Sequence, residues 1–398
     1  MRILRVLHEI RKSLLHVRVD LSIASGIEAA SGEPLRVLLA GSTQKSAFLL
    51  NSAFRDPPEM TQRCRVSIWQ LNAYLRDAAA DCDFSIVALP QFSRGILPPH
   101  GYFVIPNWIN GMVTLSPTGD VPRNRSLDSD LRLIKKHRLE PKISEAPEAF
   151  DDFYYRMHVP LVRHSHGSLA LIAPYELLRK KLRSCELLTI FQDGQPISGV
   201  MIDHSVRPHK LLVLGVSQPI GEHLRSGASA AVYHFAFKHL ANQGHRLVDV
   251  GASQGLLNDG VMQFKKKWGM RLQGHKADLS LLRVLHWSAA TAAFLKRSPF
   301  VHKTAEGLCG AVFLGANDPV DDTWLNRTRK SYLLDGLENL ILFQPPSFQA
   351  SGFQASGDDV AASARVGQPT VLAGQSWHCT RLCARTFAGR ARRPIRPN

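Results

Sequence analysis

Glu186-Leu-Leu-Thr-Ile-Phe-Gln-Asp-Gly-Gln-Pro-Ile-Ser-Gly-Val-Met-Ile-Asp203 is the stretch that decides the fold. Two apolar, β-rich runs, Glu186–Gln192 and Ile197–Asp203, flank Asp193-Gly194. That dipeptide closes two-residue hairpins because both positions tolerate positive φ. Lys210–Val216 supplies a third strand. The period then changes. After a loop at Ser217–Gly227, a long helix is expected over Ala228–Gln243, with Val232, Phe235, Ala236, His239 and Leu240 on one side. Gly244 ends it. Arg246–Val250 reads as a strand and Gly251-Ala-Ser-Gln-Gly255 as a loop. Val261–Trp268 is a short basic helix ended by Gly269.

Upstream, Leu35–Ala40 reads as a strand ending at Gly41, and Gln44–Phe54 as a helix. Val66–Ala80 places Ile68, Leu71, Leu75 and Ala79 along one helical face. Phe84–Leu89, Tyr102–Ile105 and Met112–Leu115 read as strands. Strand and helix alternate, so an α/β first domain is expected over 1–140. Leu127–Arg138 is a basic helix leading into a hinge. Phe150–His158 and Tyr175–Arg183 are helices of a second domain, expected over 146–344. Met1–Val19 carries Ile3, Leu7, Ile10, Leu14 and Leu15 at helical spacing among basic residues. It suits a docking helix or a weak membrane-surface contact. Charges interrupt it, so it is not a secretory signal.

Lys and Arg number 49 against 33 Asp and Glu, a net charge of +16. Seven of the positive charges are arginines within 360–398, which has no Lys, Asp or Glu. That stretch comes after the tandem Phe348-Gln-Ala-Ser-Gly352 and Phe353-Gln-Ala-Ser-Gly357 and keeps neither period. Residues 345–398 therefore read as a disordered basic tail. The remaining charge does not argue for a dedicated nucleic-acid binder. Six cysteines are too few for a disulfide scaffold and point to the cytoplasm. No run approaches ~20 apolar residues, so no transmembrane span is expected.

The order of antiparallel meander, loop, long helix, strand, short helix and strand resembles the core of the GNAT acyltransferases. Two segments narrow the likeness. One is Phe150-Asp-Asp-Phe-Tyr-Tyr-Arg-Met-His158 leading to Arg163-His-Ser-His-Gly167; the other is Gly244–Ser253 running on to Asn258-Asp-Gly260 and Gln263–Gly269. Over about 146–275 they resemble the FemAB-like and BioF-like acetyltransferase domain of bacterial envelope and polysaccharide enzymes. The fold class this implies is α/β (α+β): a GNAT-type mixed sheet in the second domain, after an α/β first domain that is GNAT-like or degenerate.

The resemblance implies transfer of an acyl group from a thioester to an amine. Such a site needs a pyrophosphate cradle, a donor for the thioester oxygen, a base for the ammonium and an acid for the thiolate. A helix start binds phosphate through free N–H groups and its dipole, which points to Arg225, Ser226, Gly227, Ala228 and Ser229. The usual Gln/Arg-x-x-Gly signature is met one residue short. The oxygen donor would be a backbone N–H where the central strands splay, within Leu214–Ser217. Asp249 interrupts an apolar strand, so it faces a cleft or caps a neighbouring turn. His234, next to Tyr233 on the long helix, has the chemistry of a proton acceptor. Asp203 and His204 end a strand and are substrate-binding candidates. Asn258 is a helix cap or a substrate contact. Lys265 matches the lysine of the family's Phe-Lys motif and is expected to meet a phosphate, with Lys266 and Lys267 facing solvent.

The donor implied is acetyl-CoA or another acyl-CoA, with no metal, and the acceptor an amine of a sugar, nucleotide-sugar or cell-envelope precursor. Two alternatives stay open: a Fem-type transferase using aminoacyl-tRNA, and a non-catalytic basic binding protein. Other signals are weak. Asp128 and Asp130 open a helix, where acidic residues suit the dipole. His378, Cys379 and Cys383 lack a second ligand pair, and Gly41-Ser-Thr-Gln-Lys45 lacks the phosphate-loop frame.

Overall fold

The computed structural model describes residues 17–89, 97, 101–166, 172–274, 278–315, 318–344, 364–366, 370–372 and 375–383. The chain forms two units, one of 1–109, 254–262 and 274–398, the other of 110–253 and 263–273. Both are discontinuous in sequence, unlike the linear division expected at 140–146.

The first unit opens with β1 (Arg18–Ile27), β2 (Pro34–Gly41), α1 (Thr43–Ala53), β3 (Glu59–Ser67), α2 (Leu71–Asp77), β4 (Phe84–Ala88) and β5 (Phe103–Pro106). The helix expected over Val66–Ala80 is shorter. Residues to Ser67 extend β3, which pairs antiparallel with β1. Ile68, Leu71 and Leu75 are all buried, so the apolar face is legible in the sequence and its start is not. The helix expected over Met1–Val19 gives way to β1 from Arg18 onward; residues 1–16 lie outside the described residues.

The second unit holds β6 (Trp108–Thr114), α3 (Arg125–Lys136), β7 (Glu140–Ser144), α4 (Pro147–Phe153), a π-helical turn (Tyr154–His158), α5 (Val159–His166), α6 (Tyr175–Lys181), β8 (Cys185–Gln192), β9 (Gln195–Asp203), β10 (His209–Val216), α7 (Ile220–Arg225), α8 (Ala228–Asn242), β11 (Leu247–Gln254), α9 (Gly260–Lys267) and β12 (Arg271–Gln273). The chain then returns to the first unit with β13 (Leu279–Val284), α10 (Ala289–Arg297), β14 (Phe300–Lys303), β15 (Leu308–Phe313), α11 (Asp322–Tyr332), β16 (Asn339–Gln344), β17 (Ala364–Val366), β18 (Thr370–Leu372) and β19 (Gln375–Cys383).

The class is mixed α/β. In the first unit one sheet has the order β3-β1-β2-β4-β13-β5 and another β14-β15-β16-β19-β17. Phe103 meets Phe300, Phe313 and Phe343 edge-on at 5.1–5.5 Å between ring centres, tying the two sheets together. Within the stretch expected as a tail, β19 runs antiparallel along β16, from Asn339 opposite Cys383 to Gln344 opposite His378.

The second unit is one seven-stranded sheet, β12-β6-β11-β10-β9-β8-β7. Its hairpin forms where Asp193 (φ 49°) and Gly194 (φ 78°) both adopt left-handed backbone. Ser198 and Gly199 of β9 alternate faces. On one face Ser198 Oγ donates to the Ala228 carbonyl of α8; on the other Gly199 lies under the Phe153 ring. Helices thus cover both faces. α8 buries Ala228, Ala231, Val232, Ala236, Phe237 and Leu240 completely, each larger side chain contributing about 1.5–3 kcal/mol. The loop expected at Gly251–Gly255 is instead strand, because β11 runs on to Gln254.

Candidate active site

β10 and β11 are parallel neighbours, yet they pair only at His209 with Val248 and Lys210 with Asp249. Beyond those two pairs β10 continues to Val216 along β9, and β11 continues to Gln254 without it. The two strands form a fork whose open edges have no ladder partner in each other. Two local features accompany the parting. β10 has a register irregularity between Leu211 and Val213, and Gly251 takes φ 77°, which only glycine adopts readily.

Asp249 sits at the root of this fork, 8% exposed. Its Oδ1 accepts from the Gly251 N–H at 2.7 Å, and its Oδ2 lies 3.7 Å from Lys210 Nζ. The carboxylate caps the turn at Gly251 with one oxygen and keeps the other toward the Lys210 ammonium. Tyr233 is close enough to feel Asp249. Burial, and then the Asp249 charge, push its phenol well above the ordinary tyrosine value, so it stays protonated. Phe237, Phe264 and Trp268 surround its ring. His234 points elsewhere, since its charged neighbours are Lys238, Asp120 and Arg123. Burial chiefly pulls it down to about 4, which makes it a poor proton acceptor. The sequence does not reveal Lys210, because its partner lies 39 residues on, across the two-helix crossover from β10 to β11.

The expected phosphate cradle, Arg225–Ser229, is packed at its centre. Gly227 is the N-cap of α8 with φ 93° and makes no side-chain cap. A Cβ built there would lie 3.2 Å from Leu133 Cβ of α3. Ser226 is buried and donates to the His223 carbonyl, and Ala228 is fully buried. Arg225 remains exposed and Ser229 half-buried. The glycine serves close helix packing rather than close approach to a ligand.

The lysine run is also placed differently. Lys265 is 5% exposed and donates to the carbonyls of Gly251 (3.1 Å) and Ala252 (2.8 Å). It ties α9 to the kinked part of β11 instead of reaching a phosphate. Lys267 pairs with Asp130 and lies 4.5 Å over the Phe264 ring. Lys266 is half-buried, and burial lowers its ammonium to about 8. Asp128 and Asp130 stand on α3, as expected, and pair with Arg123 and Lys267.

Three further candidates are structural. Asp203 is 1% exposed; it accepts from Lys181 Nζ at 2.6 Å and from the Ser205 N–H and Oγ. Burial would raise its carboxyl, but Lys181 and Ser205 outweigh that and hold it below the ordinary value. Asn258 belongs to the first unit and donates to the Arg297 carbonyl. Asp259 makes the cap expected of its neighbour, accepting from the Met262 N–H. Lys45 pairs with Asp278, so Gly41–Lys45 is no phosphate loop.

His204 is drawn into a cluster. Its Nε2 lies 3.3 Å from Glu186 Oε2, which also meets His239 Nε2 at 2.5 Å. The His204 ring is 4.7 Å from His209, and His209 is 4.0 Å from His245. Arg207 Nη1 is 3.2 Å from His209 Nε2. Burial first, and then neighbouring positive groups, hold His209 and His245 below the usual histidine value. The unfolded chain, titrating near ~6.5, then binds protons that the folded chain refuses. Stability is expected to fall as pH drops below about 6.5, and to level off below the folded values. Urea unfolding at pH 7.5 and 5.5 checks this, and His209→Asn should reduce the difference while leaving the part due to the other histidines held low, His158, His234, His245 and His302.

Among the described residues no group of three or more His, Cys, Asp or Glu is arranged to hold a metal ion. Nor, among those residues, is any helix long and apolar enough to cross a membrane.

No protein-family model and no curated protein matches the chain. Solved structures similar to it include FemX (13% identity, 66% of this chain and 87% of that one, TM-score 0.34). Others are L-PGS from Bacillus licheniformis (9%, 67% and 86%, TM-score 0.31) and a GCN5-related N-acetyltransferase from Kribbella flavida (13%, 72% and 96%, TM-score 0.27).

Proposed function

We propose that this chain transfers an acyl group to an amine at the fork between β10 and β11. The parted parallel strands carry this reading. Where β10 leaves β11, the backbone N–H groups on its open edge are fixed in place without a partner in that strand. Such preorganised donors stabilise the oxygen charge that develops when an amine attacks a carbonyl carbon. Asp249 at the fork root is the group to take the ammonium proton or align the amine. The proton that Asp249 accepts returns to the leaving atom; Tyr233 is buried and its phenol is held well above the ordinary tyrosine value, so it gives up its proton too reluctantly to be that acid. His234 has no part in it. The acceptor class is the amine of a sugar, nucleotide-sugar or cell-envelope precursor.

One observation separates the donors. The Gly227 packing on α3 occupies one side of the α8 start, with Arg225 exposed and Ser229 half-buried beside it, which weighs against CoA held there in the expected manner. An ester donor such as aminoacyl-tRNA needs no cradle at that position. Titration with acetyl-CoA is expected to show binding no tighter than about 1 mM. Charged tRNA is expected to bind with an affinity that falls steeply with salt, and its amino acid to pass to an added amine. Saturable acetyl-CoA binding with thiol release would restore the CoA reading. Binding of neither donor would favour a non-catalytic protein. Residues 1–16, with their expected membrane-surface contact, lie outside the described residues.

A further inference from the structure

We propose that His158 is a positioning residue that clamps the oxygen-binding edge of β10. This rests on acyl transfer at the fork and adds a residue to which no role has been given.

His158 ends the π-helical turn Tyr154–His158 between α4 and α5. Single π turns insert a residue into a helix and re-aim the residues beyond it. This turn lies directly on β10. A Cβ built on Gly215 would stand 2.7 Å from the His158 main-chain nitrogen and 2.7 Å from Met157 Cβ. Only glycine at 215 permits that approach. His158 is 4% exposed, and its Nδ1 lies 3.0 Å from the Leu214 carbonyl oxygen. A carbonyl only accepts, so Nδ1 carries the proton and Nε2 the lone pair. Among the described residues that buried Nε2 has no partner.

Strand alternation shows which edge the imidazole serves. The Ser217 N–H donates to the Ile197 carbonyl of the β9 side. Counting back by twos, Gly215 and Val213 direct their N–H and C=O groups at β9, opposite Gly199 and Met201. Leu214 and Val216 therefore direct theirs at the side that β11 has left. The Leu214 carbonyl has lost its strand partner there, and the imidazole replaces it. The N–H of the same residue points into the fork, where the acyl oxygen would bind. Holding the carbonyl fixes the 214–215 peptide and, through the shared Leu214 Cα, restrains the preceding 213–214 peptide that carries that N–H. The unpartnered Nε2 fits this account. A leucine would fill the space without a buried lone pair but would leave the carbonyl loose. Burial keeps the imidazole below the usual histidine value and so neutral.

The test compares His158→Leu with His158→Asn in the full chain. Asparagine keeps a donor close to the position of Nδ1; leucine keeps only the bulk. His158→Leu is expected to lower kcat about 10- to 100-fold with KM changed less than about twofold, and His158→Asn to recover most of that loss. Equal loss in both variants, or a change confined to KM, overturns the proposal. Amide exchange supplies a readout that does not need turnover. The Gly215 N–H shares the clamped peptide, so its exchange should quicken at least about tenfold in His158→Leu and return toward the parent rate in His158→Asn. Equal exchange in all three chains overturns the clamp. If the parent chain transfers no acyl group while the exchange pattern holds, the reaction reading fails and the clamp stands.

Discussion

Asp249→Asn is expected to lower turnover by about 10²- to 10⁴-fold while the chain keeps its fold. The two carboxylate oxygens have separate tasks. Oδ1 accepts the Gly251 N–H at 2.7 Å, and an asparagine oxygen accepts it equally. The kink at Gly251 and the course of β11 are thereby preserved. Oδ2 faces Lys210 Nζ at 3.7 Å and supplies the charge at the fork root. Replacing it by an amide removes both the proton acceptor and the partner of a lysine that is largely covered. Turnover with unchanged circular dichroism and unfolding midpoint checks the expectation. Loss of the fold instead would make Asp249 a turn cap and nothing more. Lys210→Met should cost activity less, since it leaves the carboxylate in place.

The second large effect is on stability. Lys265→Met is expected to destabilise the chain by roughly 2–4 kcal/mol. Methionine replaces the aliphatic stem, but it cannot donate to the carbonyls of Gly251 and Ala252, which Lys265 Nζ holds at 3.1 and 2.8 Å. Those carbonyls lie where β11 has departed from β10, so β10 does not take over. Urea unfolding measures the loss directly. A lysine that bound a phosphate would behave oppositely, weakening donor affinity and leaving the unfolding midpoint alone.

The same two residues show how far a linear reading reaches. Asp249 stands out because a carboxylate inside Leu247-Val-Asp-Val250 breaks an apolar run, and that anomaly is visible without any fold. Its capping bond is local, two residues away. Lys265 also stands out, yet the phosphate contact expected of it is replaced by bonds to the main chain. A buried ammonium and an exposed one look alike in Phe264-Lys-Lys-Lys267; only the carbonyls released by the β11 kink decide which lysine turns inward. Gly227 poses the same difficulty. Its positive φ is inferable from a glycine at a helix start, but whether a ligand or a helix meets it depends on α3, about ninety residues earlier.

What short-range physics controls is legible along the chain. The Asp193-Gly194 turn, the β8–β9–β10 meander, the long helix stopped before Gly244 and the acidic start of α3 all result from turn chemistry, period and capping within a few residues. Long-range pairing set the rest. It placed β6 beside β11 and β12, parted β10 from β11 after two pairs, gathered His204, His209, His239 and His245, and laid the His158 turn on Gly215. These arrangements depend on hydrogen-bonding groups and surfaces far apart in the chain. Which of them find partners, and which stay open for chemistry, is settled by long-range pairing and burial.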